Sequence, residues 1–244
     1  MLKGIYDTAS GMLPQIIRLD TVANNLANAN TAGFKRELVF SQEFTKAQQK
    51  TLDKEADWEQ VQVTKTAIDF AQGPIERTGE PLHVAIEGDA FFVVSTPNGE
   101  MYTRGGNFTI SPQGKLVTLD GYPVLGETGD LAVQGNELAI DQRGVVTVDR
   151  RAVGNLRLVT FPQPNPLVRT APGLFAVPNG GPVPAKAEKY TLIQGALEGS
   201  NTNMISEMVE MIESYRQFET GQRMIQIQDE SLGKAVNQLG AVRR

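Results

Sequence analysis

The N-terminal stretch of the chain carries apolar or small residues at spacings that alternate between three and four. These spacings predict a long helix with an a/d heptad seam along one side. Such a helix is roughly 37 Å long at about 1.5 Å per residue. Because the apolar seam runs along this whole length, the helix needs a partner helix to cover it. The residues of the seam are Leu2, Ile5, Ala9, Met12, Ile16, Leu19, Ala23 and Leu26.

The C-terminal stretch carries a second heptad pattern and supplies this partner. Gln222 and Asp229 interrupt one of its rows, and polar residues at such positions can set the register of a helix pair. We therefore expect the two chain ends to pair as a coiled coil. The first row is Met204, Met211, Phe218, Ile225, Leu232 and Leu239, and the second row is Met208, Tyr215 and Val236.

Both apolar stripes are wider than a two-helix seam requires. Extra apolar faces need extra neighbours, which adjacent subunits would provide. The alternative is a long helical hairpin packed on the β-domain of the same chain. The additional apolar residues are Tyr6, Leu13, Ile17 and Val22 in the first helix, and Ile205, Val209, Ile212, Met224 and Ile227 in the second.

Asparagines crowd the end of the first helix, where their amides can cap the helix or bond to neighbours. They either fray the helix end or form amide hydrogen bonds between subunits. Pro14 predicts a kink within the helix, and Gly33 is the expected C′ residue after its end. The asparagines are Asn24, Asn25, Asn28 and Asn30.

Between Gly73 and Gln194 the hydrophobic period changes to two, which predicts β-strands. Asn98-Gly99 and Asp120-Gly121 predict hairpin turns, and residues 111–114 predict another turn. Short antiparallel strands disfavour a parallel nucleotide-binding sheet. The predicted strands are Leu82–Glu87, Ala90–Thr96, Met101–Arg104, Phe108–Ile110, Lys115–Leu119, Val145–Asp149, Asn155–Phe161 and Tyr190–Gln194.

These patterns predict an α+β protein in which an all-β antiparallel domain is inserted between two long helices. Residues 1–36 and 196–244 form the helical coiled-coil domain, and residues 70–195 form the β-rich domain. The polar segment 37–69 is a linker with some helical or extended structure, or an extension that touches adjacent subunits.

Charge and composition exclude several functional classes. A net charge of −5 and a pI near 5.1 argue against nucleic-acid or anionic-membrane partners. No apolar run approaches the roughly 18 residues of a membrane-spanning helix, and the N-terminus lacks the features of a cleaved secretory signal. Because the chain has no cysteine and a single histidine, His83, we expect no disulfide and no multi-histidine zinc site.

The sequence also lacks the familiar catalytic motifs. No P-loop, dinucleotide-binding, zinc-protease or nucleophile-elbow string occurs. Glycosidase chemistry needs two carboxylates, which Glu87 with Asp89 or Asp130 with Glu137 could supply. Such pairs arise easily in a chain with 28 Asp and Glu residues. We predict no catalytic, cofactor-binding or metal-binding residue.

Three parts of the chain resemble bacterial flagellar rod and hook proteins. Residues 23–36 (ANNLANANTAGFKR) closely resemble the N-terminal signature of that family, and residues 197–203 (LEGSNTN) resemble its C-terminal signature. The strings GDAFFV at 88–93 and GKLVT at 114–118 are similar to its β-domain.

The resemblance implies a non-enzymatic subunit of the axial rod of the flagellar basal body, with the terminal helices in an inner tube and the β-domain outside. The implied partners are copies of the chain, other flagellar rod and hook proteins, and the flagellar type III export apparatus. Members of the family are exported without a cleaved signal and assemble in the rod that crosses the periplasm. Asp69-Phe70 and residues 194–201 look closer to proximal than to distal rod subunits.

Two alternatives remain open at this point. A distal rod or hook subunit would differ only in its position along the axis, whereas a peptidoglycan-acting enzyme or glycan-binding β-module with helical tails would be another class of protein. For a rod subunit, the assembly interface is expected to comprise the seams and signature residues. These are Leu2, Ile5, Met12, Ile16, Leu19, Asn24, Asn25, Leu26, Asn28, Asn30, Phe34, Asn201, Asn203, Met204, Met208, Met211, Ile212, Tyr215, Phe218, Ile225, Leu232, Val236 and Leu239.

Overall fold

The computed structural model describes residues 2–46, 59–135, 137–162, 165–178 and 180–241. These residues form an α+β protein with a helix near each end and a large antiparallel β region between them, which confirms the predicted class. The chain divides into two compact units. Unit 1 comprises Met1–Ala27, Glu37–Ala67 and Asn203–Arg244, and unit 2 comprises Asn28–Arg36 and Ile68–Thr202. The three-domain division drawn from the sequence stays a prediction.

Both predicted helices are present in unit 1. Helix α1 is Leu2–Ala27, and it continues through Pro14. Helix α2 is Met204–Ala241. The Asn203 side chain caps the start of α2, because its Oδ1 atom accepts hydrogen bonds from the backbone N–H groups of the next turn at 3.0 and 3.2 Å.

Gly33 does not end the first helix, contrary to our expectation, because α1 already stops at Ala27. Gly33 has a φ of +68° and lies against the backbone of Arg104 and Gly105 in unit 2. A Cβ atom at this position would collide with that backbone. Both the conformation and the space therefore require glycine.

The described residues form nineteen strands. In chain order they are β1 Glu37–Lys46, β2 Glu59–Ile68, β3 Ile75–Arg77, β4 Val84–Gly88, β5 Phe91–Thr96, β6 Gly99–Thr103, β7 Phe108–Ile110, β8 Leu116–Thr118, β9 Leu125–Gly126, β10 Gly129–Asp130, β11 Leu138–Ile140, β12 Val145–Val148, β13 Arg151–Asn155, β14 Leu158–Thr160, β15 Val168–Ala171, β16 Leu174–Ala176, β17 Ala185–Lys186, β18 Tyr190–Gln194 and β19 Ala196–Glu198.

Strands β1 and β2 pair as a two-stranded sheet. This segment was predicted to be a polar linker with some helical or extended structure, or an extension that touches adjacent subunits. The strand signal is weak because Glu, Gln, Thr and Lys occupy many positions of both strands. Residues 47–58 of this segment, with Trp58 among them, lie outside the described residues.

The largest sheet belongs to unit 2 and has the strand order β15-β16-β6-β5-β14-β17, with antiparallel neighbours. Strands β5 and β6 pair Thr96 with Gly99, which confirms the predicted hairpin. The turn between β7 and β8 is also confirmed, because the Gly114 N–H donates to the Ser111 carbonyl at 2.8 Å. The strand predicted at Asn155–Phe161 is present as β14 but is shorter, since β13 ends at Asn155 and β14 begins only at Leu158.

Two apolar clusters form the core of unit 2. The larger cluster is built from the inward-facing aliphatic residues of the strands, and the smaller one is rich in aromatic rings. Phe91 packs edge to face against Phe161 and Phe175, with ring centroids 5.8 and 6.2 Å apart. All the described buried members of both clusters lie between Val84 and Leu192.

Candidate assembly surface

Helices α1 and α2 pack side by side in unit 1. Met12 lies beside Gly221 toward one end of the pair. Toward the other end, Asn25 donates a hydrogen bond to Glu207 at 3.2 Å. The later residue of α1 in these two contacts therefore meets the earlier residue of α2. The two helices are antiparallel.

One predicted row of α2 does not lie in this helix pair. Met208 and Tyr215 are 44% and 61% exposed, although the sequence analysis assigned both to the seam with the first helix. A different row faces α1 instead, with Glu207 and Ser214 buried and Gly221 half-buried beside Met12 at heptad spacing. Small and polar residues permit close helix packing but leave no trace in a hydrophobic pattern, which explains the wrong assignment.

The remaining seam residues divide between half-buried and exposed positions. Met12, Leu19 and Leu26 of α1 are half-buried, whereas Ile16 is exposed. Leu2, Ile5, Val236 and Leu239 lie in the helices, but outside the part whose side chains the structure describes. In the first row of α2, Met204 is exposed, and the half-buried members are Met211, Phe218, Ile225 and Leu232.

Unit 1 leaves a substantial apolar surface exposed, with Ile205 reaching 74% exposure. Most of the exposed apolar residues of α2 lie within its first turns, at spacings that put them on neighbouring faces of the helix. Clustered apolar exposure of this kind marks an interaction site. The described residues of this surface are Leu13, Ile16 and Ile17 of α1, and Met204, Ile205, Met208, Val209, Ile212, Tyr215, Met224 and Ile227 of α2.

Asn25 joins three segments of unit 1. Its Nδ2 group donates to the Glu37 carbonyl at 2.9 Å and to the Glu207 carboxylate, and its Oδ1 atom accepts the Glu37 N–H at 2.9 Å. The Asn25 side chain is only 1% exposed. Its amide therefore links α1 to β1 and α2 within the same chain, which leaves it unavailable to a neighbouring subunit.

The other signature residues have varied surroundings. Asn24 and Asn30 are exposed, and Asn28 is half-buried. Phe34 is fully buried in unit 2 beneath the Arg169 guanidinium, which lies 4.2 Å from the ring centroid. The burial of Phe34 inside its own unit removes it from the surface that a neighbouring subunit can reach.

Asn201 also forms its hydrogen bonds inside unit 2. Its Oδ1 atom accepts the Arg36 N–H at 2.6 Å, and its Nδ2 group donates to the carbonyls of Asp69 and Ala71 at 2.9 and 3.1 Å. The side chain thus ties the N-terminal segment of unit 2 to the segment that precedes β3.

A buried ion cluster in unit 2 was missed by the sequence analysis. Glu198 pairs with Lys35 at 2.5 Å and with Arg104 at 3.2 Å, and the side chains are 0 to 2% exposed. Burial lowers the pKa of both Lys35 and Arg104, and the Glu198 carboxylate opposes that shift by raising it. The only sequence signal was that Lys35 and Glu198 lie in the N-terminal and C-terminal signature strings.

The carboxylates considered for glycosidase chemistry do not form a site. Glu87 and Asp89 are both exposed, and Asp130 is paired with Lys115. The described part of the chain contains no group of three or more acidic or histidine side chains suited to a metal ion. Among the residues that the structure describes, neither helix combines the length and hydropathy needed to cross a membrane.

Three family models match successive parts of the chain. They are described as flagella basal body rod protein at residues 5–35, flagellar hook protein FlgE/F/G D1 domain at residues 85–148, and flagellar basal body rod FlgEFG protein C-terminal at residues 193–239.

Curated relatives match over the whole length. The flagellar basal-body rod protein FlgF of Caulobacter vibrioides is 35% identical, over 99% of this chain and 100% of that protein. The FlgF protein of Salmonella typhimurium is 34% identical over 98% of both chains. The chain belongs to the flagellar basal-body rod family. A further relative, the flagellar basal-body rod protein FlgG of Borreliella burgdorferi, is 32% identical over 97% of this chain and 98% of its own.

Membership of the rod family decides between the functional classes considered from the sequence. This rod-family protein is a structural subunit and not an enzyme. Its functional surface is accordingly an assembly surface, for which the exposed apolar residues of α1 and α2 are the leading candidate.

Proposed function

We propose that the protein is a subunit of the proximal part of the flagellar rod. Copies of the chain and other axial proteins stack their terminal helices into an inner coiled-coil tube, with the β unit on the outside. The continuous tube carries motor torque along the rod to the hook. The exposed apolar residues of α1 and α2 carry this proposal.

The energetics of burial support assembly through these helices. Covering about five of the exposed side chains at roughly 1.5 to 3 kcal/mol each contributes about 7 to 15 kcal/mol. Immobilising a subunit costs about 4 to 15 kcal/mol. The apolar surface is therefore large enough to offset the cost of binding each subunit.

The proposed interface consists of the helix seams, their exposed flanks and the exposed signature asparagines. Asn25, Phe34 and Asn201 are left out, because their side chains are engaged within their own units. The interface on α2 is concentrated at Met204, Ile205, Met208, Ile212 and Tyr215.

The position in the proximal rod is supported by the relatives named FlgF, which match the chain at 31 to 35% identity. The strings at Asp69-Phe70 and residues 194–201 also look closer to proximal subunits. We further propose export by the flagellar type III apparatus without a cleaved signal, followed by assembly where the rod crosses the periplasm.

A distal position is the second candidate, because relatives named FlgG match almost the full length at 28 to 32% identity. Electron microscopy of purified basal bodies that carry a tagged subunit distinguishes the two positions. A tag next to the hook would contradict a proximal location.

Chromosomal substitutions test the assembly surface itself. Ile205→Asp and Ile212→Asp should leave the purified subunit folded by circular dichroism, yet remove it from basal bodies and abolish motility. Gln217→Asp is the matched control, because Gln217 is an exposed polar residue of the same helix that belongs to none of its apolar rows. Normal motility of both isoleucine variants would refute the proposed surface.

A further inference from the structure

The buried ion cluster joins parts of unit 2 that are far apart in sequence. Lys35 and Glu198 are separated by 163 positions, and Arg104 and Glu198 by 94. The Lys35 Nζ group also donates to the Ala71 carbonyl at 2.8 Å, and Arg104 donates to the Gly88 carbonyl at 2.5 Å. The cluster therefore connects the first segment of unit 2 to its last strand.

Glu198 is the centre of this arrangement. Its Oε1 atom accepts hydrogen bonds from Lys35 and from the Gly73 N–H at 2.9 Å, while Oε2 faces Arg104. Its own carbonyl accepts the Gly33 N–H at 2.7 Å. One residue at the end of β19 thus satisfies donors from three other segments.

The charges make Glu198 necessary for this packing. Lys35 and Arg104 are two buried cations, and Glu198 is the carboxylate that pairs with both. A buried cation without a paired anion is strongly unfavourable. Without the Glu198 carboxylate, the charged Lys35 ammonium group is more stable in water than in its buried position.

The two apolar clusters of unit 2 take no buried member from these segments. The described buried members of the clusters lie between Val84 and Leu192, so none of them comes from residues 33–36 or from β19. Phe34 and Ala196 are buried as well, but they lie outside both clusters.

We propose that Glu198 is a latch that holds residues 33–36, the latch segment, docked on the rest of unit 2. When the carboxylate is neutralised, the latch segment opens locally while the core stays folded. This local opening exposes the Lys35 side chain, which is fully buried in the closed state, to solvent.

Pulsed acetylation of the full-length protein with N-acetoxysuccinimide, read by mass spectrometry, tests this proposal. In the native protein Lys35 should react at least about 30-fold more slowly than the exposed Lys189. In Glu198→Gln, which keeps the shape but loses the charge, the Lys35 rate should come within about threefold of the Lys189 rate. Circular dichroism at the temperature of the labelling experiment should show the β signal unchanged.

Glu100→Gln is the matched control, because Glu100 forms a solvent-exposed pair with Arg157 at 2.7 Å. This variant should leave Lys35 as protected as in the native protein. The latch is refuted if Lys35 stays protected in folded Glu198→Gln, or if Lys35 already reacts like Lys189 in the native protein. Loss of the whole β signal in Glu198→Gln would also refute it, since the cluster would then be part of the core.

Discussion

Met12 packs against Gly221 across the α1–α2 pair, so closely that a Cβ atom on Gly221 would lie 3.0 Å from the Met12 Cγ atom. The contact fixes how near the two helices approach each other at this level. It also predicts that glycine at this position is needed for packing, although glycine disfavours a helix by itself.

Gly221→Leu should therefore weaken the helix pair by about 2 kcal/mol, because the added side chain overpacks the seam. Gly233→Leu in the same helix should instead stabilise it by up to about 1 kcal/mol through helix propensity, since no atom of the described side chains or backbone lies within 4 Å of a Cβ at Gly233. Urea unfolding followed by the helical circular dichroism signal measures both. Equal effects of the two variants would mean that the seam does not depend on Gly221.

Asn25→Asp should destabilise unit 1 by about 2 to 3 kcal/mol, because it removes a buried donor to Glu37 and places a carboxylate beside Glu207. Asn24→Asp, at the exposed neighbouring position, should cost less than about 1 kcal/mol. Chemical denaturation of the two purified variants provides the comparison. A small effect of Asn25→Asp would show that the buried amide contributes little to stability.

A fragment of residues 28–203 should fold as an independent β unit, because it contains all of unit 2. A fragment of residues 37–203 lacks Lys35 and Phe34, and should keep its β circular dichroism signal but lose about 2 to 4 kcal/mol of stability. Thermal unfolding of both fragments checks this expectation. Loss of the β signal from the longer fragment would mean that the helices belong to the core of unit 2.

The lowered pKa of Lys35 predicts a pH dependence with a definite sign. Burial brings the pKa of Lys35 in the folded protein below its ordinary value of 10.5. At pH values between the folded pKa and 10.5, the unfolded chain therefore binds more protons than the folded chain. Stability must then rise with pH between the folded pKa and 10.5. The difference in unfolding free energy between the native protein and Lys35→Met should grow in favour of the native protein over this window.

The control for this experiment is Lys186, an exposed lysine whose pKa is raised by its hydrogen bond to Glu127. Its pairing contributes stability below its ordinary pKa, which is lost as the pH rises through the raised value. Lys186→Met should therefore change the pH profile in the opposite direction, and only weakly because the pair is exposed. A difference for Lys35→Met that shrinks with rising pH would refute the dominance of burial.

The sequence identified the long helices and the main hairpins because their signals are local. Heptad spacing revealed α1 and α2, and Asn98-Gly99 revealed the turn between β5 and β6. The seam of α2 was only half identified, since Ser214 and Gly221 contribute through small size rather than apolar character. Met208 and Tyr215 were assigned to the seam on hydrophobicity alone.

The ion cluster could not be found by pattern, because Lys35, Arg104 and Glu198 meet only after three distant segments come together. Charged residues are usually exposed, so nothing local distinguishes these three from the rest. The same reasoning applies to Phe34 and Asn25, which the signature placed at an interface but which pack within their own units.

The hydrogen bonds from Gly33 to Glu198 and from Asn201 to Phe34 join the incoming and outgoing stretches of unit 2 directly side by side. The chain segment between these two stretches therefore begins and ends at adjacent points, as an exchangeable cassette does. Related chains could lengthen, shorten or replace that segment while preserving the terminal helices, and an engineered cargo domain could be grafted at the same place.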